Sequence, residues 1–162
     1  MFVLSYASHL RQFREVRMQL TYTQDISLLH MEEWEELFTF YLSVYPADCK
    51  VDKVWDLVRL GRLRTIQARE EVTGKLVGVA HFFPMLNLRL GEICYLETLV
   101  THPERRRCGV GSGLLEEMKR VAKEEGWEVV RWVTKREGNE GARRMYLNFA
   151  ETSLDVFHMD IK

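Results

Sequence analysis

Apolar residues recur along this chain with two periods, and the switches between the periods divide it into elements. Residues 16–23, VRMQLTYT, alternate and predict a first strand. Asp25 or Ser27 is positioned to cap a helix running to about Tyr45, with Leu29, Trp34, Leu37, Phe38, Tyr41 and Leu42 on its apolar side. Pro46 ends it. Asp52 is positioned to cap a shorter helix that carries Val54, Trp55, Leu57 and Val58 and stops near Gly61. Residues 63–69 and 76–83 read as a hairpin around Thr73-Gly74, and Pro84 and Asn87 begin another loop. Residues 93–100, ICYLETLV, form a nearly unbroken apolar run between Gly91 and Pro103, the mark of a buried strand. Residues 111–125 return to a helical period at Leu114, Leu115, Met118, Val121 and Ala122, and Gly126 follows as a stop signal. Residues 127–134 read as a strand. Gly138-Asn139 opens a helix carrying Ala142, Met145, Tyr146 and Phe149, and residues 153–161 predict a last strand. The order is β, two helices, a hairpin, the strand at 93–100, then α, β, α, β, which describes an α/β domain with a central sheet flanked by helices.

Composition narrows the class. A chain of 162 residues suits one domain with a sizeable core. The formal net charge of −1 supplies no basic field, so nucleic acid is not an expected partner. Cys49, Cys94 and Cys108 are odd in number and lack metal-ligand spacing, which suggests a reducing, cytoplasmic setting without a disulfide framework. The five histidines are scattered and no H-E-x-x-H or C-x-x-C occurs, so no metal is expected. Residues 1–15 lack a long apolar core and soon become charged, so they read as an N-terminal extension, neither signal peptide nor membrane span. Residues 16–162 then form a single domain.

The stretch from the buried strand to the long helix carries the clearest chemistry. A basic, glycine-rich loop leads into a helix N-terminus, where unpaired backbone N–H groups and the helix dipole favour phosphate or pyrophosphate. Gly109, Gly111 and Gly113 would let a ligand approach the backbone. A Walker A loop requires a Lys-Ser or Lys-Thr pair after the glycines, and none follows. A Rossmann fingerprint requires G-x-G-x-x-G early in a βαβ unit, whereas this loop has G-x-G-x-G late in the chain. An ordinary tight turn with solvated arginines is the plain alternative.

Residues 106–111, RRCGVG, match R/Q-x-x-G-x-G/A, set between the strand LETLV and an amphipathic helix. Asn139-x-x-Ala142-x-x-x-Tyr146 matches a second pattern, N-x-x-A-x-x-x-Y. In both, and in element order, the chain resembles the GNAT N-acetyltransferases. Trp132-Val133-Thr134, followed by Asn139, Ala142-Arg143 and Met145-Tyr146, resembles a branch of small bacterial acetyltransferases and fungal polyamine and histone-tail acetylators. The chain departs from these patterns where Asn148-Phe149-Ala150 replaces a usual Gly-Phe, and where Glu97-Thr98 stands in place of the branch's frequent Glu-Asp.

The resemblance implies a GNAT fold, in which strands 93–100 and 127–134 run parallel and splay apart around acetyl-CoA. It implies acetyl-CoA as cosubstrate, an amine acceptor and a homodimer. It also implies cofactor contacts at Leu99, Val100, Thr101, Arg106, Arg107, Cys108, Gly109, Val110, Gly111, Ser112, Asn139 and Arg143, with Glu97 and Tyr146 as catalytic residues. Glu97 is an ionisable residue inside an apolar strand, where burial would raise its pKa towards that of a useful base. Strand alternation puts it on one face with Ile93, Tyr95 and Leu99. It either acts as base or only orients substrate or water. Tyr146 is either a proton donor to the departing CoA sulfur or a core tyrosine. Asn139 either caps its helix or contacts the pantetheine arm. Cys108 has no His or Asp in suitable context and reads as incidental, and His102 as a loop residue. Glu32, Glu33, Glu35, Glu36 and Asp48, beside Trp34, Tyr41, Tyr45 and Trp55, would suit a cationic amine such as a polyamine or lysine side chain, although a solvated helix face explains most of the glutamates equally well. The other class left open is a non-catalytic CoA-binding or regulatory domain. Retention of both Glu97 and Tyr146 favours the enzyme.

Overall fold

The computed structural model describes residues 18–152. Among the described residues five strands lie side by side in chain order: β1 (Leu20–Thr23), β2 (Arg64–Glu70), β3 (Leu76–Asn87), β4 (Gly91–Thr101) and β5 (Val130–Arg131). The first four are antiparallel, and β5 is parallel to β4. Helices α1 (Met31–Val44), α2 (Val51–Arg59), α3 (Val110–Glu125) and α4 (Glu140–Tyr146) flank the sheet. Among the described residues no helix is long and apolar enough to cross a membrane. Residues 1–15, the start of the strand expected from residue 16 and the strand expected over 153–161 lie outside the described residues.

The sheet is buried on both faces, which accounts for the unbroken apolar runs in β3 and β4. On one face Ile66, Ala80 and Phe82 pack against Leu114, Met118 and Val121 of α3. On the other, Val79 and Val100 pack with Trp34, Leu37 and Phe38 of α1 and Val58 of α2. Gly78 has no side chain because α3 lies close: a Cβ there would meet Val110 Cγ1 at 2.7 Å.

Several boundaries differ from expectation for identifiable reasons. Asp25 accepts from Ser27 N at 3.0 Å, but it caps a short 3₁₀ turn, Ile26–Leu28, and α1 starts separately at Met31. Lys50, not Asp52, occupies the N-cap of α2, and Asp52 lies in its first turn beside the positive end of the dipole. β3 does not stop at Pro84. It pairs with β4 through Asn87, opposite Gly91. Its pairing with β2 ends at Phe82, so past that point one edge of β3 has no neighbouring strand among the described residues and a missing N–H is tolerated. The turn falls at residues 88–90, where Asn87 Oδ1 accepts from the N–H groups of Arg89 and Leu90 at 3.0 and 3.2 Å. Among the described residues, the strand expected over 127–134 pairs only at two residues, Cys94↔Val130 and Tyr95↔Arg131. Past these pairs β4 and the chain after β5 diverge. Gly126 ends α3 as expected, in the left-handed conformation with φ +76°.

Candidate active site

The site lies where β4 and β5 part. From β4 the chain passes through His102 and a 3₁₀ turn, Pro103–Arg105, to Arg107 and Gly109, both left-handed with φ +65° and +84°. α3 begins at Val110, and its first amide bonded back into the turn is Gly113 N, which donates to Gly109 O at 2.9 Å. The N–H groups of Val110, Gly111 and Ser112 precede it and, as first-turn amides, have no acceptor within the helix. Arg106 and Arg107 form no ion pair with any described residue, whereas Arg105 is held by Glu70. Amides, dipole and free guanidinium groups together suit a diphosphate.

This loop forms one end of a cleft of about 810 Å³ between β4, α3, α4 and the C-terminal half of α1. Leu99, Val100, Thr101, Arg106, Arg107, Gly109, Val110, Gly111, Ser112, Asn139 and Tyr146 all line it. Cys108 and Arg143 do not; Cys108 is exposed and its thiol points at Arg106 O, 3.5 Å away. The glycines divide by role. Gly111 borders the cleft, and a Cβ there would approach Met145 Sδ to 3.0 Å. Gly113 faces β1, where a Cβ would collide with the Tyr22 hydroxyl. Its role is helix–strand packing, not room for a ligand. Past Tyr95, the β4 edge that faces this cleft has no strand partner among the described residues.

A second cavity, of about 330 Å³, lies between α1, α2 and the middle of the sheet, and Glu97 lines it. The side chain of Glu97 is exposed, not buried. The cause is a β-bulge: His81 pairs with Thr98 and Phe82 with Leu96, which leaves Glu97 as the extra residue. The bulge also reverses the alternation. Cys94 and Leu96 belong to the core under α3, whereas Val100 belongs to the core under α1 and Thr98 lines the cavity on that side. Leu99 now packs towards α3, 3.6 Å from where a Gly111 Cβ would be, so it does not share a face with Glu97.

Tyr41 and Tyr45 line both spaces, so the cleft and the cavity meet at these rings. Burial, followed by the charge of Glu97, pushes the Tyr41 phenol up to about 12. Burial, followed by the neighbouring Tyr45 and Tyr41 phenols, pushes Tyr146 up to about 12 as well, so it stays protonated at neutral pH. Its ring meets Trp132 edge-on with centroids 5.5 Å apart. Asn139 stands at the N-cap of α4 but makes no side-chain cap. Its Nδ2 donates to Thr134 Oγ1 at 2.7 Å and to Tyr45 Oη at 2.9 Å, and the two hydroxyls lie 3.0 Å apart. This polar cluster ties the end of α1 to the chain leaving β5.

His81 also borders the smaller cavity, but its nitrogens are occupied. Trp34 Nε1–H donates to Nε2 at 2.8 Å, so Nδ1 carries the proton and donates to Thr65 Oγ1 at 2.8 Å. Complete burial holds its pKa down to about 3. It is a structural histidine. The acidic run on α1 is likewise used elsewhere: Glu33 pairs with Arg69 at 3.1 Å and Glu36 with His102 at 3.2 Å. Glu32, Glu35 and Asp48 are exposed and line neither space. Thr98 and Lys135, which do line the cavity, carry no motif. For Thr98 the available signal was a hydroxyl inside an apolar strand.

The site thus combines a parallel strand pair that parts after two paired residues with a glycine-rich, arginine-flanked helix N-terminus whose free amides suit an anion. The chain belongs to the acetyltransferase (GNAT) family, whose model matches residues 27–149. Solved structures agree in fold. A ribosomal-protein-alanine N-acetyltransferase from Brucella melitensis biovar Abortus superposes with a TM-score of 0.71 at 18% identity, over 89% of this chain and 99% of that one. A probable acetyltransferase gives 0.72 at 21% identity, over 90% and 99%. An aminoglycoside acetyltransferase from an uncultured soil metagenomic sample gives 0.68 at 14%, over 90% and 97%. No curated protein sequence matches the chain closely enough to count as a relative.

Proposed function

We propose that the protein transfers the acetyl group of acetyl-CoA to a primary amine by direct attack, with both substrates bound at once. The observation that carries this reading is the meeting of two spaces at Tyr41 and Tyr45, one lined by Tyr146 and the α3 loop, the other by Glu97. The thioester supplies an activated acetyl group; the protein supplies position and proton management. The amides of Val110, Gly111 and Ser112, with Arg106 and Arg107, hold the pyrophosphate. Main-chain groups of Leu99, Val100 and Thr101 pair with the pantetheine arm as a sheet edge pairs with an added strand. Glu97 accepts the proton of the incoming amine, directly or through a water. The Tyr146 phenol donates a hydrogen bond to the departing sulfur. Asn139, held by Thr134 and Tyr45, fixes the wall between the two spaces.

The test is thiol release from acetyl-CoA against a panel of amines, beside calorimetry of acetyl-CoA binding. Turnover with at least one amine is expected. Tight binding without turnover across monoamines, polyamines, amino acids, aminoglycosides and lysine peptides would instead assign a CoA-binding regulatory domain.

A further inference from the structure

The cavity beside Glu97 has a definite chemical character. Its α1 wall is a row of stacked rings, Phe38 on Tyr41 at 5.7 Å and Tyr41 on Tyr45 at 5.0 Å between centroids. Leu42, Val54 and Leu63 add aliphatic surface. Among the described residues its charged groups are one carboxylate, Glu97, and one ammonium, Lys135. Lys135 Nζ is held in place, donating to Val44 O at 2.6 Å with the Tyr45 ring 5.0 Å away. One polar atom stands apart. Thr98 is only 6% exposed, yet its Oγ1 has no hydrogen-bond partner among the described residues. The bulge at Glu97 is what places Thr98 on the cavity side of the sheet, one residue from the carboxylate. A buried hydroxyl without a partner is costly, and such groups are normally satisfied. An amine that enters to reach Glu97 would satisfy it.

Taking the acetyltransferase reading as given, we propose that the acceptor is a small monoamine on an apolar, preferably aromatic, body, and that the Thr98 hydroxyl accepts an N–H of that amine. Three features exclude other amines. A polyamine brings two or more ammonium groups to a cavity with one carboxylate. Lys135 repels the second of them, a repulsive element that discriminates as effectively as an attractive one. An aminoglycoside brings many hydroxyls to walls of rings and aliphatic chains, where they would go unpaired. With its N–H bonded to Thr98, the neutral amine keeps its lone pair free to form the new N–C bond. Glu97 takes the proton released, and the thioester C–S bond breaks.

The experiment compares phenethylamine, isoamylamine, putrescine, spermidine and a lysine peptide by thiol release and by calorimetry, on wild type, Thr98→Val, Thr98→Ser and Lys135→Ala. The kcat/KM of phenethylamine should exceed that of spermidine by at least tenfold. Thr98→Val keeps the shape of the side chain and should raise the phenethylamine KM about tenfold, the scale of one neutral hydrogen bond. Acetyl-CoA affinity should be unchanged, and Thr98→Ser should recover most of the loss. Lys135→Ala should narrow the gap between phenethylamine and putrescine. Spermidine or the peptide as preferred substrate, or an unchanged KM in folded Thr98→Val, would overturn the assignment and leave the enzyme standing. Phenethylamine that binds in a Thr98-dependent way without turnover would overturn the enzyme and keep the ligand class. Absence of both binding and turnover for the apolar amines would overturn the assignment.

Discussion

Replacing Tyr146 with phenylalanine deletes one oxygen and keeps the ring that meets Trp132 edge-on at 5.5 Å. The cost of that oxygen can be worked from its surroundings. The phenol sits at about 12 because burial and the phenols of Tyr45 and Tyr41 disfavour the phenolate. A free thiol sits at about 8.5, so complete transfer of the proton to sulfur would run uphill by about 5 kcal/mol at roughly 1.4 kcal/mol per pKa unit. The phenol therefore acts chiefly as a hydrogen-bond donor to the sulfur as its charge develops. A hydrogen bond to a charged group contributes about 1.5–3 kcal/mol. Tyr146→Phe should then lower kcat by roughly 10- to 150-fold, below the 10²–10⁴-fold scale typical of a fully transferring acid. Acetyl-CoA affinity and melting temperature should change little. A phenol at about 12 should also leave no basic limb of its own in the pH profile of kcat below about pH 10. The assay is steady-state thiol release from pH 6 to 10, beside calorimetry and melting of the same variant. A kcat within a factor of two, with a melting temperature lowered by several degrees, would make Tyr146 a core residue and refute the reasoning.

Glu97→Gln should lower kcat for the amine while acetyl-CoA affinity by calorimetry stays unchanged; a change confined to the amine KM would make Glu97 a substrate-positioning residue. Gly111→Val adds a branched side chain where a Cβ alone already comes within 3.0 Å of Met145 Sδ, at the lip of the cleft. Acetyl-CoA binding should weaken about tenfold, roughly 1.4 kcal/mol, by calorimetry on the folded variant, and unchanged affinity would remove the loop from the cofactor site. His81 carries a folded-state pKa of about 3 against an ordinary 6.5, so its contribution to stability is complete above pH 6.5 and is lost as pH falls towards 3. Urea denaturation of wild type should therefore lose up to about 1.4 kcal/mol per pH unit more than His81→Gln across that window; parallel slopes would show that His81 does not titrate on unfolding.

The parts of the fold governed by local patterns were legible: the period of α3, its glycine stop, the β2–β3 hairpin and the basic loop all follow from adjacent residues. What was hidden depends on register. A bulge is one residue in excess, and nothing in ICYLETLV marks which residue is unpaired. The exposure of Glu97 and the partnering of Thr98 with the cavity were therefore invisible, although both residues stand in plain view. Pro84 misleads for a similar reason, since its tolerance in β3 depends on where β2 ends. The glutamates of α1 have the charge for an amine, but Arg69 and His102, far along the chain, take two of them. Asn139 has the right type and position for a cap, and it turns away because Thr134 and Tyr45 offer better partners.

The short pairing of β5 with β4 has a thermodynamic consequence. Among the described residues, the sheet opens after two paired residues and leaves an edge of β4 without a strand partner, flanked by α1 and α4. An ordinary outer edge invites a neighbouring chain and aggregation. Here residues of α1 and α4 border that edge as walls of the cleft. Whatever occupies that slot binds only the folded chain, so occupancy and folding are linked by mass action. At a hundredfold excess over its dissociation constant, such a ligand adds about 2.7 kcal/mol to the unfolding free energy. For a chain of this size each kcal/mol moves the melting temperature by roughly 2–4 °C. The abundance of the ligand thus becomes a determinant of how long each molecule of the protein survives, apart from any reaction it carries out.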